Sequence, residues 1–298
     1  MNKFEKIVGD LYLLKVPFSN VWTGVILCTG EADGSGRKVL IDSSNQKERV
    51  DDTIVPALAE MGLSLSDISD LLCTHTHGDH VGGHARIREL APSVKIWCYD
   101  KSLPKMRDPL KYNKAIRAVF PAYSPAPSVG LTGIEPDEVI GDDAVVAGRF
   151  RLIPAAGHDT DTVCWLDTVT GTLVCGDSLQ ANGTDSQGMA LYMDLPSYQA
   201  TLRRLLNLGA DNLITGHDYN PVGISAFGRE NVTKYLETCS ELVAFYDGFI
   251  RAMYACGKSE PEIAEALIDA VHGVHPSYLF LALLTVDSHI REIKKERA

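Results

Sequence analysis

Ten consecutive residues, Thr74 to Gly83, limit what this chain can fold into more than any other stretch. Within six of these positions stand His75, His77, Asp79 and His80, all of types that bind metal ions. The apolar residues before them predict a buried strand that ends at this point. Because alternate side chains of an extended backbone share a side, His75 and His77 suit one metal ion. The glycine that follows allows a sharp turn, so that Asp79 and His80 can serve a second ion.

A lone histidine, or a pair two positions apart, is most often an ordinary surface or core residue. Four ligand-type side chains in six positions, followed by Gly82 and Gly83, are hard to explain in that way. The pattern His-x-His-x-Asp-His at positions 75–80 resembles the signature of the metallo-β-lactamase superfamily, whose members are mostly binuclear zinc hydrolases. The resemblance implies an α/β (α+β) fold, the αββα sandwich of that superfamily, across residues 1–225.

The resemblance also predicts three more ligands downstream, and the sequence contains a candidate for each in the expected order. His158, Asp177 and His217 each follow a short apolar run and a glycine, which predicts that strand ends deliver them to one edge of a sheet. The resemblance divides the ligands into two sets and a bridge: His75, His77 and His158 for one metal ion, Asp79, His80 and His217 for the other, and Asp177 between them.

This ligand set indicates the chemistry. Histidine nitrogens and carboxylates without thiolate suit Zn²⁺, although iron, manganese or cobalt would also fit. Two such ions share a hydroxide, because metal binding lowers the pKa of water from about 15.7 to roughly 7. The resemblance implies that Asp79 orients this nucleophile and carries its proton, while Asp177 fixes the separation of the ions. Tyr192 and Tyr219 are further candidates, as donors to the oxyanion, although surface or packing roles are the commoner explanation for either.

The same residues narrow the expected substrate. His80 together with a bridging Asp177 looks most like the glyoxalase II, lactonase and arylsulfatase-related hydrolases. This likeness implies an enzyme that hydrolyses a carboxylic ester, thioester or lactone of a small molecule. Because tRNase Z and cyclic-nucleotide phosphodiesterases share the pattern, a phosphodiesterase or ribonuclease is the alternative. A non-catalytic metal-binding module is a third class, but such a module is expected to have lost ligands.

Composition adds constraints on partners and compartment. A formal net charge of −11 makes binding to long nucleic acids or to an anionic membrane unlikely. The first residues contain no apolar run long enough for a signal sequence or a membrane span, so a cytoplasmic protein is expected. The seven cysteines include no C-x-x-C pair, which favours free thiols in a reducing compartment.

The chain divides by pattern into a catalytic domain over residues 1–225 and a helical extension over 226–298. Helical spacing predicts single helices over Val50–Met61 and Val81–Leu90. Three more are predicted in the extension, roughly at 228–256, 260–271 and 277–295. We expect the extension to pack on the main domain or to take part in a homodimer. Residues 101–148 are rich in proline and have no regular pattern, which indicates an insertion at the mouth of the site.

The start of this insertion is basic in an otherwise acidic chain. Residues 101–120 contain one acid, Asp108, against six basic side chains: Lys101, Lys105, Arg107, Lys111, Lys114 and Arg117. One interpretation is a solvated helix face, with Tyr112 and Ile116 among the residues on its buried side. The other is that the insertion caps the metal site and attracts an anionic substrate, such as an acyl thioester of coenzyme A or glutathione. In that case Lys105, Lys111 and Lys114 contact the substrate.

Overall fold

The computed structural model describes residues 3–18, 20–127 and 130–298. Within them, short β-branched and apolar runs form strands that pair into two sheets. In chain order these strands are β1 (Glu5–Val8), β2 (Leu11–Phe18), β3 (Val21–Cys28), β4 (Lys38–Ile41), β5 (Ile68–Leu72), β6 (Lys95–Tyr99), β7 (Glu138–Ile140), β8 (Val145–Val146), β9 (Phe150–Pro154), β10 (Val163–Asp167), β11 (Thr172–Val174), β12 (Asn212–Tyr219) and β13 (Gly223–Phe227).

The first sheet follows the chain in the order β1-β2-β3-β4-β5-β6-β7. Its first four strands are antiparallel, and its last four are parallel. The second sheet has the order β13-β12-β11-β10-β9-β8, in which only β11 and β12 run parallel. The parallel strands of both sheets are connected through helices, as parallel pairs require.

Helices cover the two sheets from outside. They are α1 (Lys47–Arg49), α2 (Val55–Glu60), α3 (Gly78–Val81), α4 (His84–Leu90), α5 (Leu103–Arg107), α6 (Pro109–Arg117), α7 (Leu195–Leu208), α8 (Arg229–Ala255), α9 (Glu260–Ala270) and α10 (Phe280–Glu296). A π-helical turn at Val50–Ile54 joins α1 to α2. None of the described helices is long and apolar enough to span a membrane.

Three apolar layers confirm the predicted αββα sandwich. The middle layer lies between the sheets and contains Ile26 and Leu72 from the first sheet with Trp165 and Ile214 from the second. A second layer packs the first sheet against the early helices. The third packs the second sheet against α7 to α10, so that the C-terminal helices share one buried cluster with β10 and β11.

The helix predicted over Val81–Leu90 is interrupted in the structure. It forms two helices, α3 and α4, because the helical hydrogen bonding is interrupted at Gly82 and Gly83. A Cβ atom at Gly82 would lie 2.2 Å from the Asn45 carbonyl oxygen, and one at Gly83 would lie 2.3 Å from the Ser43 carbonyl oxygen. The loop after β4 therefore lies so close to this backbone that only glycine fits at the two positions.

Other boundaries also differ from the sequence expectations. The segment 101–148 is not wholly irregular, since it contains α5, α6, β7 and β8. Residue 225, the expected end of the catalytic domain, falls inside β13 (Gly223–Phe227). The three C-terminal helices lie within a few residues of their predicted bounds, and α9 begins with the expected capping box between Ser259 and Glu262.

A buried ion triad connects the two sheets. The Arg149 guanidinium is 2% exposed and donates from Nη2 to Asp10 Oδ1 at 2.6 Å and from Nε to Asp167 Oδ1 at 2.6 Å. Asp10 lies in the turn between β1 and β2, whereas Asp167 ends β10. Burial opposes the charge of Asp10, but the Arg149 guanidinium outweighs it and lowers the pKa of that carboxyl to about 2.

Replacing this guanidinium should destabilise the fold strongly. Arg149→Met leaves two buried carboxylates without their partner, and we expect the free energy of unfolding to fall by roughly 3–5 kcal/mol in urea titrations. Arg229→Met is the matched control, since Arg229 pairs with Asp211 on the surface and should cost less than about 1 kcal/mol. The native contribution of Asp10 is complete above its ordinary pKa of 3.8 and is lost as the pH falls through about 2. Equal losses in the two variants would contradict this account.

Candidate metal centre

The His75–His80 stretch leaves the end of β5 as a short extended loop and then enters α3. Two threonines determine which side chains of the loop point to which side. The Thr74 amide donates to Asp42 Oδ1 at 2.8 Å, and the Thr76 amide donates to Asp161 Oδ2 at 3.1 Å. The threonines are thus held by carboxylates on the outer side of the loop. His75 and His77 alternate with them, and their ring centroids are 4.6 Å apart. This alternation confirms that both imidazoles face one side.

Glycines before two downstream ligands permit close approach of the backbones. Gly176 has a φ of +49°, and a Cβ there would lie 2.3 Å from Thr74 Oγ1. A Cβ at Gly216 would lie 2.6 Å from Asp177 Oδ1. Asp177 follows β11 as expected, whereas His217 lies within β12, at the point where its pairing with β13 shifts register.

All seven residues predicted as metal ligands converge at this edge of the sandwich. Within each of three groups, the candidate ligand atoms lie within 4.8 Å of one another. The groups are His75, His77 and His158; His75, His80 and Asp177; and Asp79, His80 and His217. The first and third groups correspond to the two sets implied by the resemblance, and Asp177 stands between them, 3.5 Å from His158 Nε2 and 3.3 Å from His80 Nε2.

The buried atoms of this cluster fit metal ions. His75 Nε2, His80 Nε2 and Asp177 Oδ1 are buried and make no well-formed hydrogen bond among the described residues. Buried polar atoms normally have a partner, because leaving them without one is costly. These atoms are nitrogen and carboxylate donors of the type that zinc binds. The cluster therefore offers groups of donors that could hold metal ions.

The other ring nitrogen of each histidine is already engaged. Such outer contacts fix the tautomer and orientation of a metal-binding imidazole. The Nδ1 contacts are Thr74 Oγ1 for His75 at 3.1 Å, Asp42 Oδ2 for His80 at 2.8 Å, the Leu191 carbonyl for His158 at 2.8 Å and the Trp22 carbonyl for His217 at 2.6 Å. His77 is reversed: its Nε2 contacts Asp159 Oδ2 at 3.0 Å, and its Nδ1 faces His158 Nε2 at 3.0 Å.

The carboxylates divide the cluster electrostatically. Burial lowers the pKa of His75 well below its usual value and lowers that of His158 to about 4. Burial also opposes the charge of His217, but the carboxylates of Asp177 and Asp79 raise its pKa to about 10. The same carboxylates raise the pKa of His80. Asp79 and Asp177 thus favour a positive charge in this buried cluster, and a bound metal cation can supply that charge.

A cavity of about 900 Å³ opens over this cluster. Five of the ligands line one part of it: His77, Asp79, His158, Asp177 and His217. The rest of its wall includes α6 of the insertion and α10 of the C-terminal extension, which contribute Ile116, Phe280 and Leu284. The helical extension, in which the sequence showed no chemistry, therefore forms part of the cavity.

The three lysines predicted to bind substrate do not line this cavity. Lys105 Nζ is 13% exposed and donates to Asp159 Oδ1 at 2.5 Å and to Asp161 Oδ1 at 2.7 Å. Lys111 and Lys114 are exposed on the opposite face of α6. For Lys111 and Lys114 the cause is helical phase, because residues four apart share a face and Tyr112 and Ile116 occupy the face of α6 toward the cavity.

Sequence reasoning missed the network around Lys105. Asp159 accepts from the Tyr112 hydroxyl as well as from Lys105, and it contacts the ligand His77. Tyr112 also stacks on the His77 ring, with centroids 6.2 Å apart. The acids of the His158-Asp159-Thr160-Asp161 run, directly after a ligand, were the available signal. Lys105 is thus linked to His77 through Asp159.

The two predicted tyrosines lie outside the cavity. Tyr192 is buried, and its hydroxyl forms a 2.8 Å hydrogen bond with His289 Nε2 in α10. The expectation that it points at a bound carbonyl is therefore corrected, since the loop that carries it packs on the C-terminal helices. Tyr219 lies closer to the ligands: its hydroxyl accepts from Gln180 Nε2 at 2.8 Å, and its ring is 5.9 Å from that of His217. It does not line the cavity either.

Comparison with known proteins agrees with this geometry. The sequence profile of the Metallo-beta-lactamase superfamily matches residues 20–217. The chain therefore belongs to the metallo-beta-lactamase superfamily. A solved metallo-beta-lactamase family protein from Thermus thermophilus superposes with a TM-score of 0.73 at 22% identity, over 97% of this chain and 94% of that one.

Curated relatives are distant. An atrochrysone carboxyl ACP thioesterase of Pseudocercospora fijiensis is 23% identical over 71% of this chain and 55% of its own length. A probable metallo-hydrolase of Bacillus subtilis, YqjP, is 22% identical over 97% of this chain and 93% of its own length. The chain thus spans about half the length of the first curated relatives it matches, but nearly all of YqjP.

The bridging assignment of Asp177 is tested by metal content. We expect the purified protein to bind about two zinc ions per chain, and Asp177→Ala to retain one or fewer while staying folded, because the shared carboxylate is lost. Inductively coupled plasma mass spectrometry measures the ions, and circular dichroism monitors the fold. Asp218→Ala, which removes an exposed carboxylate beside His217, should leave the content unchanged. Full occupancy in Asp177→Ala would disprove the bridge.

The role of Lys105 is tested against its exposed neighbour. Lys105→Met leaves Asp159 and Asp161 without their cation, so the support of His77 weakens, and we expect zinc affinity to fall about 10- to 100-fold in competition with a chelator. Lys111→Met, on the solvent face of α6, should change the affinity less than about twofold. If both variants keep their zinc affinity but raise KM for anionic substrates, the lysines contact substrate as the sequence suggested.

Proposed function

We propose that this protein is a metal-dependent hydrolase of a small-molecule carboxylic ester, thioester or lactone. The main support is the cavity of about 900 Å³, which is lined by candidate ligands on one side and by apolar residues on another. A cavity of this size suits a small ligand rather than a polymer. The net charge of −11 also disfavours long nucleic acids, as in a ribonuclease. Among the three classes of substrate, thioesters have the added support of relatives that are named thioesterases.

The ligand set favours zinc as the bound metal. Five histidines and two carboxylates contain no thiolate, and they suit two Zn²⁺ ions, with iron or manganese as the alternatives. Two such ions, when bound, supply Lewis acidity and activate water for attack on a carbonyl. His75, His77 and His158 would hold one, and Asp79, His80 and His217 the other, with Asp177 shared between them.

Asp79 is the group of this chain best placed to handle the proton. Its side chain is 25% exposed and faces the cavity, whereas that of Asp177 is almost fully buried. Burial opposes the ionisation of Asp79, but His80 and His217 outweigh it and hold its pKa well below the usual range. The side chain is therefore ionised and can orient an attacking water through a hydrogen bond. Its position beside the cavity, rather than its basicity, makes it the group that accepts the proton the water loses.

The hydrolysis needs one water molecule and one proton transfer through Asp79. The oxygen of water bonds to the acyl carbon, and the bond from that carbon to sulfur or oxygen breaks. Asp79 returns the accepted proton to the leaving thiolate or alkoxide. The apolar wall formed by Ile116, Phe280 and Leu284 accommodates the acyl chain and keeps bulk water from the reacting bond.

A substrate panel tests this function directly. We expect acyl thioesters and aryl esters to be turned over, activity to disappear with a chelator, and Zn²⁺ to restore it. Asp79→Asn should lower kcat about 10²- to 10⁴-fold, whereas Asp218→Asn should not. A lactone and a chromogenic phosphodiester complete the panel. Turnover of the phosphodiester alone would replace the proposed function with a phosphodiesterase.

A further inference from the structure

The cavity has a second polar end, formed by Arg117. This residue is the last of α6 and lines the cavity wall. Tyr112, five positions earlier on the same helix, stacks on the ligand His77. With a rise of 1.5 Å per residue, Arg117 lies about 7.5 Å along the helix axis from Tyr112. The helix therefore connects the reacting end of the cavity with a guanidinium at the other end.

Arg117 has no acidic partner among the residues that the structure describes. Its Nε is buried and makes no hydrogen bond there, and its guanidinium carbon lies 5.7 Å from the centroid of the Phe280 ring. Lys105 and Arg107, in the same insertion, instead pair with acids. Burial lowers the pKa of Arg117, but a guanidinium stays charged in proteins. A half-buried cation without a counter-ion is costly, and an anionic ligand would offset that cost.

An apolar path connects the two ends. Leu191, Phe280 and Leu284 form one buried cluster, with Ile116 packed against it. The Leu191 carbonyl accepts from the ligand His158, whereas Phe280 lies under Arg117. A chain of methylene groups that runs along this cluster would reach from the ligands to the guanidinium.

A smaller cavity adjoins the large one at Arg117. It measures about 280 Å³ and shares Arg117, Ser186, Phe280 and Leu281 with the large cavity. Arg117 therefore stands where the two spaces meet. Its planar fork matches a carboxylate with two parallel hydrogen bonds.

We propose that Arg117 binds a carboxylate at the far end of the acyl chain, so that the substrates are ω-carboxyacyl thioesters or esters. This inference rests on the proposed hydrolase function and specifies its substrate. The basic character of the insertion thus serves recognition through Arg117, which lines the cavity at the C-terminal end of α6, and not through Lys111 or Lys114.

Matched substrates test the proposal in the zinc-loaded protein. The set is an adipyl thioester with a free ω-carboxylate, its neutral ω-methyl ester, and the corresponding ω-phosphonate. Arg117→Gln should raise KM for the free carboxylate about 10- to 100-fold with little change in kcat, because remote charge contributes uniform binding. KM for the methyl ester should change less than about twofold. Lys111→Gln is the control on the opposite face and should affect neither.

Two further measurements make the result decisive. Arg117→Lys keeps the charge without the fork, so it should recover only part of the affinity, and melting temperatures check that each variant is folded. Equal KM values for the carboxylate in wild type and Arg117→Gln would overturn the proposal. A larger loss for the phosphonate than for the carboxylate would overturn the assignment to carboxylates.

Binding without turnover separates this proposal from the proposed function. Calorimetry should show that wild-type protein prefers adipate to hexanoate about tenfold or more and that Arg117→Gln loses this preference. If no ester is hydrolysed but the preference depends on Arg117, the hydrolase function is wrong and the anion site stands. If both proteins bind the two acids with the same ratio, the anion site is wrong whatever the enzyme hydrolyses.

Discussion

The structure depends on holding together seven polar side chains that satisfy one another only in part. Most of them are buried, and three of their atoms lack a hydrogen-bond partner among the described residues. Such an arrangement is stable only if the scaffold is rigid and a cation compensates the acids. Both sheets contribute to the scaffold: the segment that runs from β5 into α3 carries four of the candidate ligands, and the loops after β9 and β11 and strand β12 carry the others. The sandwich thus brings the ends of strands from two layers to one point.

The fold and the candidate ligands could be predicted because the local pattern at residues 75–80 resembles the signature of a known superfamily, and that resemblance implies both the sandwich and the order of the later ligands. Four ligands lie within six positions, and each remaining ligand follows an apolar run and a glycine. The glycines are explained by contacts that no side chain could tolerate, such as the approach of Gly176 to Thr74. The prediction of a single helix over Val81–Leu90 was wrong, because the helix is interrupted at Gly82 and Gly83. The loop that causes the interruption is distant in sequence.

The side chains that line the cavity could not be predicted from a local pattern. In a short helix such as α6, the inner and outer faces differ by a rotation that only its neighbours determine. Lys114 and Arg117 look equivalent in sequence, yet one is exposed and the other lines the cavity. Likewise, Phe280 and Leu284 have the spacing of ordinary core residues. Tyr192 was misjudged because its loop passes between the metal centre and α10, so that proximity to Asp177 in sequence says nothing about the direction of its side chain.

That loop gives the molecule a mechanical property. Leu191 and Tyr192 are adjacent, but they serve opposite neighbours: the Leu191 carbonyl orients His158, while the Tyr192 amide donates to Thr285 Oγ1 of α10 at 3.0 Å. One peptide unit therefore connects a candidate metal ligand with the helix that lines the far wall. The peptide group that orients His158 is the same one that α10 holds in place. The candidate centre is thus coupled to the packing of a helix that supplies none of its ligands.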